Sequence, residues 1–208
     1  MGVTMTSPNK CPRCGFTHQC ICQRIPTLES NTHIALLTHP KETTRSTNTG
    51  QFLAKSLPHC SVHQWDRVTA PQSLITLLNR PDIEAYLLFP DADSESVHTK
   101  IAASSNRRTP SKTPLFIIID STWQEAKKIV RKSAWLTPLP HLHITPNKAS
   151  NYTLRRNQED GHLCTLEVGC ELMYTLGEEA QAKQLSDFFL HYMKVYQADK
   201  SGHPLKPE

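Results

Sequence analysis

An acidic residue stands where an apolar run ends, in the sequence Leu115-Phe-Ile-Ile-Ile-Asp120. In open α/β sheets, ligands bind at the carboxyl ends of the strands, which is the position this pattern gives to Asp120. An unpaired carboxylate beside a buried strand is costly, so Asp120 should have a function or a partner. A helix that begins just after it would favour the ionised carboxylate. We therefore predict a lowered pKa for Asp120, which suits binding a cation better than removing a proton.

The residues that follow Asp120 have structural explanations as well as chemical ones. Thr122 and Glu125 fit the S/T-x-x-E capping box at a helix start. Trp123 fits core packing at the same place. Capping and packing explain these two residues as well as a catalytic role does.

A second group with chemical potential is a cysteine cluster, C-x2-C-x5-C-x-C, formed by Cys11, Cys14, Cys20 and Cys22. Four thiolates within twelve residues can surround one zinc ion and fold a loop too short to have its own core. Disulfides or chance are the alternatives. A closed four-sulfur site leaves no open coordination position, so we assign it a structural role, and His18 inside the loop is superfluous as a ligand. Cys60, Cys164 and Cys170 are interpreted as packing residues.

The elements that must position Asp120 are a strand and a helix, within the segment Leu115–Leu136. Five apolar residues, three of them β-branched, are typical of a buried strand in a parallel sheet. One face of the following helix is apolar, with Trp123, Ala126, Ile129, Val130 and Ala134. The opposite face is largely basic, with Lys127, Lys128, Arg131 and Lys132. A solvated lysine-rich face is the alternative to a binding surface.

The rest of the chain predicts further strands and helices in alternation. Strands are expected at 33–38, 61–65, 84–89 and 141–145, and a loop at 104–114. Helices are expected after Thr49 as cap, at 71–79, after Thr165 as cap, and at 178–197. This order predicts an α/β fold with a mostly parallel sheet and helices on both faces. We divide the chain into a cysteine-rich segment (1–30), an α/β catalytic domain (31–198) and a tail expected to fray (199–208).

Composition narrows the classes of function. Residues 100–160 carry 11 basic and 4 acidic side chains, which favours a polyanionic partner, nucleic acid first. The seven glycines form neither G-x-G-x-x-G nor a P-loop. There is no apolar run of about 18 residues and no signal-peptide h-region. We therefore expect a cytoplasmic protein without a membrane span, whose cysteines are thiols or metal ligands.

Five ordered motifs together resemble the DTW-domain family, the tRNA-uridine aminocarboxypropyltransferases. They are the cysteine cluster, H-P-x-E and R-x-T-N-T within 39–49, L-L-F-P at 87–90, D-S-T-W at 120–123, and Y-x-L-R-R with L-C-T-x-E within 152–167. The family usually has glycine or alanine where this chain has Ser121.

The resemblance implies a knotted core like the SPOUT class, which binds S-adenosylmethionine at the carboxyl ends of the strands. It also implies transfer of the 3-amino-3-carboxypropyl group of that donor to N3 of a tRNA uridine, with release of methylthioadenosine. The sequence does not distinguish a monomer from a dimer.

Site roles follow from the resemblance. Catalytic roles fall to Asp120, Thr122 and Trp123, with Asp120 holding the donor's ammonium group and Trp123 walling the transferred chain. The predicted donor-binding residues are Thr47, Leu87, Phe89, Pro90, Asp120, Ser121, Leu154 and Arg155. The predicted RNA-binding residues are Arg45, Asn48, Lys127, Arg131 and Arg156. The role of Asp120 requires its carboxylate to face a cavity that admits the donor.

Three other functions compete with this one. A zinc-containing tRNA-binding protein without chemistry would use the cysteine cluster and the basic middle third. A SPOUT-like RNA methyltransferase would use the same donor site. A zinc-dependent hydrolase is disfavoured because four cysteines close the metal site.

Overall fold

The computed structural model describes residues 10–105, 112–146, 150–152, 154 and 163–206. Its described strands are β1 (His33–Thr38), β2 (Cys60–Gln64), β3 (Ile83–Leu88), β4 (Glu95–Ser96), β5 (Thr113–Asp120) and β6 (His141–His143). Its described α-helices are α1 (Gly50–Ser56), α2 (Gln72–Leu78), α3 (Val97–Ser105), α4 (Trp123–Lys132), α5 (Thr165–Thr175) and α6 (Glu179–Lys200). Short 3-10 helices lie at Cys22–Arg24, Pro40–Thr44 and Ala134–Leu136.

The described strands form one parallel sheet in the order β2-β1-β5-β3-β6-β4. The central strand β5 pairs with β1 on one side, where Thr38 lies opposite Asp120. On its other side β5 pairs with β3. The carboxyl ends of β1, β5 and β3 therefore lie at one edge of the sheet, as the predicted α/β fold requires.

Alternate residues of each central strand enter two separate hydrophobic cores, because successive side chains point to opposite faces. Phe116 and Ile118 of β5 lie in the core that includes residues of α1, α5 and α6. Leu115, Ile117 and Ile119 lie in the core that includes residues of α2 and α4. The prediction of helices on both faces is confirmed.

A strand and a helix that the sequence pattern does not predict lie between β3 and β5. Glu95–Ser96 pairs with β6, and α3 follows at once. The polar sequence of β4 and the weakly amphipathic α3 gave no periodic signal. A parallel pair needs a crossover connection, however, so β3 and β5 required an element between them.

The cysteine-rich segment packs against helix α6. Phe16 of the cysteine-rich segment is buried against Tyr192 and Tyr196 of α6. The Asp199 carboxylate accepts hydrogen bonds from the N–H groups of Thr17 (2.8 Å) and His18 (2.7 Å). Helix α6 thus continues to Lys200. Asp199, where the sequence predicted a fraying tail to begin, holds the backbone of the cysteine-rich segment. None of the described helices has both the length and the apolar character needed to cross a membrane.

Candidate functional site

Asp120 ends β5 with its carboxylate buried and hydrogen-bonded on both oxygens. The Asn48 amide donates to Oδ2 (2.8 Å) and the Thr165 hydroxyl donates to Oδ1 (2.8 Å). A Cβ on Gly50 would lie 2.7 Å from the carboxylate carbon, so only glycine fits there without displacing Asp120. Asp120 therefore joins three segments: the loop before α1, the end of β5 and the start of α5.

Burial changes the predicted chemistry of Asp120. Asp120 is only 3% exposed. Desolvation raises the pKa of its carboxyl, although the hydrogen bonds from Asn48 and Thr165 act to lower it. The predicted lowered pKa is wrong, because the cost of burying the charge exceeds its stabilisation by donors. Cavities of about 410 and 320 Å³ lie among the described residues, and Asp120 lines neither of them.

Thr49 precedes α1 as predicted, but its hydroxyl makes no cap bond. The side-chain oxygen Oδ1 of Asn48 accepts from Gln51 N–H (3.0 Å), while the hydroxyl oxygen of Thr49 accepts from Leu166 N–H (3.3 Å) on α5. Cys164, not Thr165, precedes α5, and the Glu167 carboxylate accepts from Cys164 N–H (2.9 Å). The hydroxyls of both threonines thus connect segments. Thr49 keeps the predicted N-cap position without a cap bond, and the predicted cap at Thr165 is wrong, since that residue begins α5.

The D-S-T-W turn is fixed by the predicted capping box. Thr122 accepts from Glu125 N–H (3.3 Å), and the Glu125 carboxylate accepts from Thr122 N–H (3.1 Å). Ser121 donates to the Thr122 carbonyl (3.1 Å), so its hydroxyl is accommodated locally. Burial alone would raise the pKa of Glu125, but the Thr122 hydrogen bonds and the positive charge of Arg45 lower it.

Arg45 links this turn to the loop after β1. Its guanidinium pairs with the buried Glu42 and lies 3.4 Å from the Glu125 carboxylate. The predicted RNA contact by Arg45 would have to compete with these two carboxylates.

Phe89 and Trp123 form an aromatic wall where β3 and β5 end. Their rings lie 6.2 Å apart, and His141 contacts Phe89 edge-on at 6.5 Å. Pro90 beside them is exposed. Leu87 is fully buried, and the N–H groups of Leu87 and Phe89 already donate to Pro140 and Leu142 carbonyls. These two N–H groups are therefore engaged within the sheet.

The structure does not bring all the predicted donor-binding residues together. Leu154 packs against the core on the α1, α5 and α6 side, whereas Leu87 lies in the core on the α4 side. Thr47 is on the first of these sides, where its carbonyl accepts from the Tyr152 hydroxyl (2.9 Å). Arg155 and Arg156 lie outside the described residues.

The predicted RNA-binding face of α4 is fully accessible. Lys127 and Arg131 are exposed, as are their neighbours Lys128 and Lys132. Within the part of the chain that the structure describes, none of the four is in an ion pair. The face begins one turn after the D-S-T-W motif, so a polyanion bound to it would lie beside the edge that carries Asp120.

The four cysteines of the cluster meet as predicted. All their sulfur atoms lie within 4.8 Å of one another, with Cys11 and Cys22 at 3.7 Å and Cys11 and Cys20 at 3.6 Å. Tetrahedral ligands about 2.3 Å from zinc are separated by about 3.8 Å, so the donor set fits that ion. Gly15 supplies the turn with a φ of 76°. Backbone N–H groups of Cys14 and Arg13 lower the pKa of Cys11 to about 6, whereas desolvation raises the pKa of Cys22 to about 12. A bound cation would favour the thiolate form of both.

Sequence reasoning missed an imidazole–carboxylate pair at the same edge. His141 Nδ1 donates to the Asp91 carboxylate, and among the described residues no hydrogen-bonding group meets its Nε2. The available signal was Asp91 just after the L-L-F-P motif, followed by a short strand that begins with histidine. The contact of Thr165 with Asp120 was also missed, because capping alone explained that threonine.

A parallel sheet with polar side chains joined at its carboxyl edge defines an α/β protein of the ligand-binding type. The chain belongs to the DTW-domain family, since the family model described as "DTW domain" matches residues 8–197. No solved structure matches the chain.

Three curated relatives carry the same name, tRNA-uridine aminocarboxypropyltransferase 2. The Drosophila melanogaster protein is 27% identical over 213 residues, covering 97% of this chain and 81% of its own length. The Mus musculus and Macaca fascicularis proteins are each 27% identical over 76% of this chain. In these two mammalian proteins the match spans 53% of the length, about half.

Proposed function

We propose that this protein transfers the 3-amino-3-carboxypropyl group of S-adenosylmethionine to N3 of a uridine in tRNA. The family match over residues 8–197 carries this proposal. The name shared by relatives that cover 76–97% of the chain supports the reaction. An enzyme acting on tRNA would work in the cytoplasm.

S-adenosylmethionine, when bound, supplies a sulfonium that activates each carbon attached to it. Uridine N3 would bond to the terminal carbon of the aminocarboxypropyl chain as the C–S bond breaks. The bonding pair stays on sulfur and the N3 proton leaves to a base. The protein must select which carbon meets N3. Positioning the two reactants in this way can lower the activation free energy by about 7–11 kcal/mol.

The aromatic wall is the donor-side surface that we propose. Phe89 and Trp123 offer apolar faces beside the end of β5, with Ser121 and Pro90 next to them. Thr47 and Leu154 would border the donor from the other core's side. Arg155, beside Leu154 in sequence, stays a prediction as the partner of the donor's carboxylate.

Asp120 serves this site as a positioning residue in our proposal. Its hydrogen bonds from Asn48 and Thr165 join the segments that would hold donor and uridine. Direct contact with the donor's ammonium group stays a prediction, because a carboxylate oxygen can accept more than one hydrogen bond.

His141 is the base that we assign to the N3 proton. Its Nδ1 is held by Asp91, which leaves Nε2 as the acceptor, and its ring adjoins the aromatic wall through Phe89. A histidine oriented through one nitrogen by a carboxylate has the arrangement that general bases commonly use.

The finer features of the fold are also proposals. We propose a knotted SPOUT-like core, which the parallel sheet and the return of α5 to Asp120 support. Zinc on the cysteine cluster would be structural. Lys127, Arg131 and Arg156 would bind RNA phosphates, and Asn48 the uridine.

The test incubates the purified protein with S-adenosylmethionine and unmodified tRNA, then digests the tRNA and measures nucleoside masses. We expect uridine with an added aminocarboxypropyl group. An added methyl group would identify a methyltransferase, and tRNA that binds but stays unmodified would identify a binding protein. In the same assay, His141→Gln should lower the rate by roughly 100-fold, the range of general base catalysis.

A further inference from the structure

Three tyrosine side chains converge on the backbone and side chain of two residues just before Asn48. The Tyr152 hydroxyl donates to the Thr47 carbonyl (2.9 Å), and the Tyr192 hydroxyl donates to the Ser46 carbonyl (3.1 Å). The Tyr196 hydroxyl lies 3.2 Å from Ser46 Oγ. We refer to Tyr152, Tyr192 and Tyr196 as the tyrosine clamp.

The clamped segment leads directly to the centre of the site. Asn48 follows Thr47, and its side-chain amide donates to Asp120 through Nδ2 and accepts from Gln51 N–H of α1 through Oδ1. A shift of Ser46 and Thr47 would therefore move the amide that holds Asp120. Tyr152 and Tyr192 bond to carbonyl groups, so they fix the backbone of the segment regardless of which side chains a substrate contacts.

The clamp is supported from the opposite end of the chain. Phe16 of the cysteine-rich segment lies 6.0 Å from the Tyr192 ring and 6.1 Å from the Tyr196 ring, measured between centroids. Tyr192 also packs on Phe52 of α1 at 4.6 Å. The rings are fixed by packing, and their hydroxyls are aimed at the segment before Asn48.

We infer that the tyrosine clamp is a set of positioning residues for the transfer reaction, and that Phe16 makes the cysteine-rich segment part of it. The inference rests on the proposed function for the reaction that it serves. The clamp itself rests on three hydrogen bonds and three ring contacts. It gives the cysteine-rich segment a role in the site although that segment contributes no residue to the D-S-T-W edge.

The experiment replaces the clamp tyrosines by phenylalanine, singly and together, which removes the hydroxyls and keeps the rings. Tyr174→Phe on α5 is the matched control, because that half-buried tyrosine makes no contact with Ser46 or Thr47 among the described residues. Hydrogen exchange of residues 46–52, kcat and the KM values for both substrates are measured well below the melting temperature. Phe16→Leu tests the support from the cysteine-rich segment.

We expect faster exchange in residues 46–52 of the triple variant and a kcat lowered by roughly 10- to 100-fold, since a displacement of about 1 Å can have that effect. Phe16→Leu should give a smaller change in the same direction, and Tyr174→Phe none. Wild-type exchange and kcat in the triple variant would overturn the inference, as would equal loss in the control. If the wild-type protein shows no transfer, the proposed function fails, and the exchange data still decide whether the clamp holds the segment.

Discussion

Asp120 accepts one hydrogen bond on each carboxylate oxygen and has Gly50 pressed against it. Its position at the end of a buried strand followed from the apolar run, and the capping box of Thr122 and Glu125 followed from spacing. Its burial did not, since it depends on Asn48 and Thr165, which lie 72 and 45 residues away in sequence. From the sequence, we expect Asp120 to face a cavity that admits the donor. The proposed function rests instead on membership of the DTW-domain family, and Asp120 serves it through the residues that it holds.

Replacing Asp120 by asparagine tests this at the residue scale. Because burial raises the pKa of the folded carboxyl, its stabilising contribution is full below the unfolded pKa and is lost as pH rises through the folded pKa. The free energy of unfolding of Asp120→Asn should therefore improve relative to wild type as the pH rises above about 4, the unfolded pKa of an aspartate. Urea unfolding at several pH values measures the difference.

Asp66→Asn is the control of opposite sign. Hydrogen bonds from Thr69 and Val68 N–H groups lower the pKa of Asp66, so that variant should lose stability relative to wild type as pH rises from acid. A stability difference between Asp120→Asn and wild type that falls with pH would show that the wild-type carboxylate is stabilised by its surroundings and not destabilised by desolvation.

Transfer assays on Asp120→Asn test for direct contact with the donor. A donor KM raised roughly 100-fold, from the loss of a charge-assisted hydrogen bond, would indicate that Asp120 contacts the ammonium group.

At the scale of elements, sequence periodicity predicted those with a clear pattern. The bounds of β1 were predicted to the residue, and the basic face of α4 is exposed as expected. The pattern failed for β4 and α3, because a two-residue strand and a weakly amphipathic helix have no period to detect. It also failed for the hydroxyls of Thr49 and Thr165, which bond to other segments instead of capping a helix. Local spacing cannot register partners that only the tertiary fold supplies.

The basic face of α4 leads to a prediction about tRNA. Lys127→Ala with Arg131→Ala should raise the KM for tRNA, because two exposed cations would no longer neutralise phosphates. The slope of log affinity against log salt concentration should become shallower by roughly 0.7–0.9 for each lost contact. Filter binding at several salt concentrations measures the slope. Lys183→Ala removes an exposed lysine of α6 as control, and an unchanged slope in the double variant would place the tRNA elsewhere.

At the scale of the whole molecule, the chain's first described segment is held to its last helix. Phe16, Ile21 and Leu28 are buried in the core shared by α1, α5 and α6, and the Leu205 N–H donates to the Gln19 side chain (2.8 Å). The cysteine spacing predicted that the four sulfur atoms would meet, but not that their loop would cover this core. The segment is therefore expected to contribute to the stability of the whole protein.

If the four cysteines bind zinc, as we propose, removing the ion should unfold the cysteine-rich segment that covers this core. Each of the three buried side chains contributes about 1.5–3 kcal/mol, so loss of the segment should cost several kcal/mol. For a chain of this size each kcal/mol lowers the melting temperature by about 2–4 °C. Calorimetry of Cys14→Ser, and of wild type treated with a chelator, should show the same decrease, with one zinc per chain in the untreated protein by atomic absorption. The control variant Cys60→Ala, which lies outside the cluster, should keep its zinc. If complete removal of the metal leaves the wild-type melting temperature unchanged, the segment holds its fold without the ion.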